Sequence, residues 1–201
     1  VSTKSVDAGF LIKGLSSIDD VSLITLEGSG MVGVTGISAR LFGALSGARI
    51  NVILITQGSS EHTITFAVKP ADAAPARRAI ESVFALELKS KLIEPVKVEE
   101  GLSVVAVIGE NMKNTPGVSG RLFQALGKNG ISVVATAQGS SELNISTVIH
   151  REDLVKALNS IHQAFFLSGT HTLSVFLVGT GLIGKTLLEQ VERQKEFLRT
   201  S

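Results

Sequence analysis

The sequence predicts an α+β protein that contains two copies of one unit, each with an antiparallel sheet, followed by the start of a different fold. When the chain is aligned with itself at a shift of 81 residues, Val21–Phe84 lies on Leu102–Phe165 without a gap, and 22 of 64 positions are identical. Each copy shows the order strand, helix, strand, strand, helix. A glycine motif between a strand pattern and a helix pattern then follows the second copy.

Composition limits the classes of function. The chain has 201 residues, 44% hydrophobic and 18% charged, with a formal net charge of +1 and no cysteine. These values allow a packed core and argue against nucleic acid or an anionic membrane as the partner. Disulfides and thiolate metal sites are excluded by the lack of cysteine, and the four scattered histidines do not predict a metal site. No apolar run approaches the roughly 20 residues of a membrane span.

The first half of each unit has a strand, a glycine-rich turn and a helix. The strands are the apolar runs "VSLITLEG" and "LSVVAVIG", and the turns are "SGMVGVTG" and "ENMKNTPG". The helices are indicated by apolar residues at helical spacing. These residues are Ile37, Leu41 and Leu45 in the first unit, and Val118, Leu122 and Leu126 in the second.

The second half of each unit begins with a strand that ends in the same pentapeptide. The strands "INVILITQ" and "ISVVATAQ" are apolar on both faces, which predicts a central position in the sheet. The pentapeptide QGSSE follows at 57–61 and again at 138–142. A third strand alternates, and a second helix is expected to begin near Asp72 or Asp153, each in the position of an N-cap.

The last strand differs between the units. In the first unit, residues 88–100 predict a fourth strand, which completes a ferredoxin-like βαββαβ domain over 15–100. The second domain, 101–170, has no evident fourth strand of its own. The unmatched segment "GFLIKG" at 9–14 is predicted to supply the fourth strand of the second domain. The strand pattern at 173–178 is the alternative source of this strand.

Residues 171–201 form a third pattern. The run "LSVFLVGTGLIGKTLLEQ" places Gly179, Gly181 and Gly184 between a strand and an amphipathic helix, as in a Rossmann-type dinucleotide-binding turn. Only 17 residues follow Gly184, so no second strand with a ribose-binding acid is present. The motif is either an ordinary βα turn or the incomplete start of a further domain, and the second interpretation is favoured. We expect no tight NAD(P) binding by this chain.

The turn and the pentapeptide together predict a binding site. Free N–H groups at the helix start after Ser29–Gly36 suit a carboxylate, and the Gln57 amide suits either an ammonium group or a hydroxyl. The alternatives are a tight turn that needs glycine, an amide that caps a strand, and an exposed glutamate. The predicted binding residues are Gly30, Met31, Gly33, Val34, Thr35, Gly36, Ile37, Asn51, Ile55, Gln57 and Glu61, with Gln138 and Glu142 in the second unit. Asn51 corresponds to the shorter Ser132, so equal binding at both sites is not expected.

The two repeats resemble known regulatory domains. "GSGMVGVTGISARLFGALSGARINVILITQGSSEHTITFAV" and "GENMKNTPGVSGRLFQALGKNGISVVATAQGSSELNISTVI" are similar to the paired ACT domains of aspartate kinases. The trailing "VFLVGTGLIGKTLLEQ" resembles the first turn of homoserine dehydrogenase. Together they resemble the regulatory middle of bifunctional aspartokinase/homoserine dehydrogenases.

This resemblance implies feedback control by threonine, with contacts from the glutamines at the strand ends. It also implies that the segment before the first ACT unit supplies a strand to the second. Both catalytic domains would lie in cis outside this chain, which itself holds no catalytic residues and no cofactor, while the parent enzyme uses NAD(P). A homodimer or higher oligomer is expected through the ACT sheets, in the cytoplasm or, for a plant source, a plastid.

Other functions stay open at this point. The chain could be a dimerisation module that binds no ligand, or a lysine-responsive aspartokinase regulatory domain. A nicotinamide-dependent dehydrogenase is the enzyme alternative, and the short sequence after Gly184 argues against it.

Overall fold

The computed structural model describes residues 12–58, 61–110, 112, 115–138, 143–167, 178–179 and 181–200. The strands are β1 (Gly14–Glu27), β2 (Leu54–Gln57), β3 (Thr63–Val68), β4 (Lys97–Ile108), β5 (Val133–Ala137) and β6 (Asn144–His150). The helices are α1 (Ile37–Gly47), α2 (Pro70–Val83), α3 (Ala85–Lys89), α4 (Val118–Lys128), α5 (Leu154–Phe166) and α6 (Leu182–Thr200). Short 3₁₀ turns cover Ser29–Met31 and Arg151–Asp153.

The six strands form one continuous antiparallel sheet in the order β2-β3-β1-β4-β6-β5. The two long central strands belong to both units. The second half of β1 pairs with β3 and with the first half of β4, and the first half of β1 pairs with the second half of β4. Each unit therefore has four strands, and the two units share one sheet.

The two halves of the sheet have the same register with the roles of β1 and β4 exchanged. Ile24 lies opposite Val98, and their equivalents at a shift of 81, Val105 and Ser17, also lie opposite each other. The chain passes from one unit to the other at a pair of equivalent positions, Asp20 and Gly101. Both have positive φ, 59° and 71°, which glycine adopts freely and aspartate tolerates.

The strand that completes the second unit comes from the N-terminal side, but with different bounds from the prediction. Residues 14–18 pair with 104–108, whereas 9–14 was expected. The Lys13 N–H donates to the Ile108 carbonyl at 2.8 Å, and Ile12 is buried in the second core. Residues 9–11 of the predicted strand lie outside the described residues, as do residues 173–177 of its competitor.

Each unit buries its helices against one face of the sheet, because alternate strand residues on that face are apolar. Ile64, Phe66 and Val68 of β3 pack with Leu41 and Ile80 of α1 and α2 in the first core. The second core contains the corresponding side chains of β6, α4 and α5. These are Ile145, Ile149, Val118, Leu122, Leu126 and Ile161.

A third cluster lies on the face of the sheet that carries no helix. It joins residues of both units, so the helix-free faces pack against each other. Its buried members are Val21, Leu23, Leu54, Ala67, Leu102, Val104 and Val148, with Ile53, Val134, Ala135 and Ala137 packed beside them. The two units therefore share apolar packing as well as strands.

The prediction that the second strand of each unit is central was wrong. Strands β2 and β5 are the two edges of the sheet. Their residues are apolar on both faces because one face meets the helices and the other meets the opposite unit, as Leu54 and Ala135 show. An apolar pattern on both faces of a strand thus indicates that both faces are buried. It does not indicate that the strand is central in the sheet.

Two boundaries in the first unit also differ from expectation. The predicted strand 88–100 is a strand only from Lys97, because helix α3 occupies Ala85–Lys89. Helix α2 begins at Pro70 with Lys69 as its N-cap, whereas Asp72 was expected to be the cap. Proline favours the first helical position because its fixed φ suits the helix and it has no N–H to satisfy.

Candidate functional site

A cavity of about 490 Å³ lies at the N-terminus of α1, between the turn after β1 and the end of β2. Eight of the predicted binding residues line it. They are Met31, Gly33, Val34, Thr35, Gly36, Ile37, Gln57 and Glu61. The cavity is also lined by Ser38, Ala39 and Ile64, which the sequence interpretation did not include.

Helix α1 opens toward this cavity without a side-chain cap. Its N-cap is Gly36, which has φ 87° and no side chain that could accept a hydrogen bond from the first turn. The first N–H groups of a helix have no intrahelical acceptor and carry the positive end of the helix dipole. Since Ile37, Ser38 and Ala39 line the cavity, these donors favour a bound carboxylate.

Polar side chains lie on the opposite side of the cavity. Gln57 is the last residue of β2 and pairs with Ile64, whose side chain faces the helices, so Gln57 points to the same side of the sheet. Glu61 follows in the turn, and its Oε2 accepts a hydrogen bond from the Gly33 N–H at 3.0 Å. Glu61 is the one charged side chain among the described residues that line the cavity.

Three predicted residues do not line this cavity. The Gly30 N–H donates to the Leu92 carbonyl at 2.8 Å, and a Cβ at Gly30 would meet the Leu92 Cβ at 2.6 Å. Gly30 is therefore needed for close packing. Ile55 lies opposite Phe66 and lines a separate crevice with Ala137, while Asn51 is exposed ahead of β2.

The missed lining residues carried signals in the sequence. Ser38 and Ala39 occupy the second and third positions of the helix that follows the predicted turn, so the same argument that selected Ile37 would have selected them. Ile64 belongs to the third strand, in which the alternation places Ile64, Phe66 and Val68 on one face. Its contact with the cavity depends on how the end of β3 lies under the turn, which the alternation alone does not determine.

The equivalent region of the second unit is only partly similar. Helix α4 also begins after a glycine with positive φ, Gly117, and Gln138 again follows the strand. The Ser119 Oγ donates to the Gln138 Oε1 at 3.4 Å. Pro116 replaces Thr35 and removes one N–H donor from the turn. Glu142 lies outside the described residues.

Arg40 on α1 packs beside the first core and does not line the cavity. Its Nη1 donates to the Glu87 Oε1 at 2.6 Å, its Nη2 donates to the Val83 carbonyl, and its guanidinium lies 4.4 Å from the centre of the Phe84 ring. The hydrogen bond from Arg40, assisted by a backbone hydrogen bond, lowers the pKa of Glu87. This arrangement joins α1 to α2 and α3.

The glycine motif lies at the start of α6. Gly179 has φ 99°, and Gly181 and Gly184 lie on either side of the first residues of the helix. Leu182 and Ile183 are exposed there. Most of the predicted preceding strand, 173–178, is outside the described residues, so the NAD(P)-binding interpretation of these glycines stays a prediction.

Metal-binding clusters and membrane-spanning helices are both absent from the part of the chain that the structure describes. There, no group of three or more His, Cys, Asp or Glu side chains could hold a metal ion. No helix within the same residues is long and apolar enough to cross a membrane.

Comparison with known families identifies the repeated unit. The sequence pattern of the ACT domain matches residues 24–84 and 105–165, which are related by the same shift of 81. The chain belongs to the ACT domain family. Both matched segments contain the turn, the first helix and QGSSE, so the cavity and its counterpart lie within the ACT units.

Related proteins place this ACT pair in one group of enzymes. The chain is 43% identical over 187 residues to a bifunctional aspartokinase/homoserine dehydrogenase of Haemophilus influenzae. The aligned region covers 93% of this chain and 23% of that protein. The regulatory subunit of aspartate kinase from Thermus thermophilus matches with a TM-score of 0.65 and 30% identity, over 77% of this chain and 99% of that one.

A third match is a structure that contains a ligand. E. coli aspartokinase III, in complex with lysine and aspartate, matches with a TM-score of 0.62 and 25% identity. The match covers 81% of this chain and 35% of that chain. The present chain thus spans less than a quarter of the bifunctional relative and about a third of aspartokinase III.

Proposed function

We propose that this chain is the amino-acid-sensing regulatory region of a bifunctional aspartokinase/homoserine dehydrogenase, and that its first ACT unit binds threonine. The observation that carries the proposal is the cavity in which the uncapped start of α1, the amide of Gln57 and the carboxylate of Glu61 converge. The similarity to aspartokinase regulatory subunits supports the same role.

The cavity suits the two charged ends of an amino acid. The N–H groups of the first turn of α1 would bind the carboxylate, since they are unsatisfied donors at the positive end of the helix dipole. Glu61 and the Gln57 side-chain oxygen would accept hydrogen bonds from the ammonium group. Ile37 and Ile64 provide an apolar wall for a short side chain, and Thr35 or the Gln57 amide could bond a hydroxyl.

The charge of the cavity favours threonine over lysine as the effector. A lysine effector has a second cationic group that would need its own acceptor, and Glu61 is the single carboxylate among the described lining residues. A neutral, hydroxylated side chain needs no further charge. The lysine in aspartokinase III shows that a protein of this fold group binds an amino acid, but not which one this chain prefers.

The rest of the proposal concerns the parent enzyme. We expect a kinase and a dehydrogenase in cis, with catalysis and NAD(P) binding in those domains and not in this chain, in the cytoplasm or a plastid. Strands β2 and β5 are the two edges of the sheet. Pairing or packing at such edges would form a homodimer or a higher oligomer, and closure of the cavity by a second copy would couple binding to assembly.

Calorimetric titration of the chain with threonine, lysine, methionine and homoserine tests this function. We expect saturable binding of threonine that is at least tenfold tighter than that of lysine. Preferred binding of lysine would support the lysine-responsive alternative. Absence of binding by all four amino acids, in a protein that is folded and dimeric by sedimentation, would support the dimerisation module instead.

A further inference from the structure

The Glu61 carboxylate lies where an effector carboxylate would compete with it. Its Oε2 accepts the Gly33 N–H at 3.0 Å, although 28 residues separate the two positions in the chain. Both residues have positive φ, 57° for Glu61 and 69° for Gly33. Glu61 therefore joins the end of QGSSE to the loop that precedes α1, and both contacting residues line the cavity.

We propose that Glu61 is an internal ligand of the cavity and sets its specificity by changing partners. Without effector, its carboxylate binds the Gly33 N–H. When an amino acid enters, the effector carboxylate takes over the donors of the loop and of α1, and the released Glu61 carboxylate accepts a hydrogen bond from the effector ammonium group. This inference rests on the proposed function, since it assigns the effector carboxylate to the loop and helix start.

The exchange explains how one acidic residue can stand beside a site for a carboxylate. An anion without an ammonium group displaces Glu61 from Gly33 and gives it no new partner, so it leaves two carboxylates close together. A zwitterion replaces the lost hydrogen bond between the Gly33 N–H and Glu61 with a hydrogen bond from its ammonium group to Glu61. The second bond is stronger because both partners are charged. The cavity should consequently reject simple carboxylic acids that have no ammonium group, and it should accept neutral zwitterions.

The test uses two probes that differ in one group. Threonine and 3-hydroxybutyrate share the carboxylate and the hydroxyl, and only threonine has the ammonium group. Both are titrated calorimetrically into the unmodified chain and into Glu61→Gln. We expect Glu61→Gln to weaken threonine binding about tenfold, as for loss of a hydrogen bond between charged groups, while 3-hydroxybutyrate binds equally well or more tightly. The preference for threonine should therefore fall at least tenfold.

A control separates charge from position. Glu81→Gln removes the same charge on α2, where Glu81 pairs with Arg77, and should leave the preference unchanged. Equal weakening of both probes by Glu61→Gln, or no change in either, would overturn the exchange. If the unmodified chain binds neither probe, the proposed function fails, and the internal contact is then judged by a measurement that needs no ligand.

That measurement is the amide NMR signal of Gly33 in the ligand-free chain. Loss of a hydrogen bond from an amide to a carboxylate moves the amide proton signal, so Glu61→Ala should shift the Gly33 proton upfield by several tenths of a ppm. Glu81→Ala should not move it. An unmoved Gly33 signal in a folded Glu61→Ala protein would show that Glu61 is not an internal ligand.

Discussion

The first and second ACT units have the same fold and equivalent cores, but they differ in the turn that lines the cavity of the first unit. Their sheets have the same register at a shift of 81, and both first helices start after a glycine with positive φ. The turn before α1 has Gly33 and Thr35, whereas the second unit has Asn114 and Pro116 at these positions. The two units thus have the same strand register and helix starts, whereas the turn that would bind a ligand differs between them.

The polar contacts around the crossing strands differ as well. In the second unit, Arg151 lies 3.2 Å from both Asp19 and Asp20, and the Ser103 hydroxyl donates to Asp19. The first unit has Pro70 in place of Arg151, and the buried hydroxyl of Ser22, the equivalent of Ser103, has no partner among the described residues. The comparison shows that a symmetric framework carries two chemically distinct units.

The largest expected effect tests whether the two cores are independent. Phe84 is fully buried, so Phe84→Ala should lower the free energy of unfolding by about 3–5 kcal/mol. The equivalent Phe165 is slightly exposed, and Phe165→Ala should cost less. Because β1 and β4 belong to both units, each variant should still unfold in one transition in urea. Two separate transitions would show that the shared strands do not couple the units.

Removal of the glutamines tests the binding difference. We expect Gln57→Ala to weaken threonine binding by about 1–3 kcal/mol, which is roughly ten- to a hundredfold, because a buried polar contact to the ligand is lost. Gln138→Ala should weaken it less. Titrations are paired with thermal melts, which should be unchanged since both side chains are exposed in the described structure. Unchanged threonine affinity in a folded Gln57→Ala protein would refute this site.

Exchange of one turn residue should transfer part of the difference. Thr35→Pro removes an N–H donor from the turn before α1, as in the second unit, and should weaken threonine binding by about 1 kcal/mol. Pro116→Thr restores the donor in the second unit. If the donor matters there, this variant should show tighter or additional threonine binding by calorimetry. A similar affinity in Thr35→Pro would indicate that the donors of α1 itself bind the carboxylate.

The smallest effect concerns pH and occurs only in the first unit. Arg40 lowers the pKa of Glu87 in the folded state, so the pair stabilises the protein above the unfolded pKa of Glu87. That contribution is lost as the pH falls through the lowered folded value. The pair is partly exposed, so we expect under about 1 kcal/mol.

Urea midpoints measured from neutral pH to about pH 3 should fall less steeply for Glu87→Gln than for the unmodified chain. Glu81→Gln serves as the charge-matched control. An identical pH dependence in Glu87→Gln and the unmodified chain would contradict the assignment.

Much of the fold could be predicted from the repeat and its periodicity. Ile64, Phe66 and Val68 face the helices as their alternation indicated, and the ACT match has the predicted offset. The edge position of β2 could not be predicted from its apolar residues. Their pattern shows that both faces of the strand are buried, but it does not show whether strands, helices or the other unit cover them. The extent of the completing strand was also missed, because only Leu15 and Ile18 of residues 14–18 are apolar, and residues 16–18 are exposed in the sheet.

The candidate cavity was predictable where it depends on local backbone chemistry. The turn, the helix start, Gln57 and Glu61 line the cavity as predicted, because the start of a helix exposes backbone N–H groups and the predicted fold places the end of the second strand near it. The contact of Glu61 with Gly33 depends on how two loops from different parts of the chain approach each other. Gly30 does not line the cavity because it packs against Leu92. The sequence does not indicate this contact, since residues 88–100 are predicted to form a strand.

The exchange of strands at Asp20 and Gly101 also has a consequence for biosynthesis. The first ACT unit is contiguous from 21 to 100, so it can complete its sheet as soon as residue 100 has left the ribosome. The strand at 14–18 is made earlier, yet its partner at 104–108 is translated about 90 residues later. The second unit is thus assembled around a finished first unit, and its earliest residues must wait unpaired. A pause in translation before residues 104–108 would prolong the time in which the unpaired strand can pair wrongly with other chains.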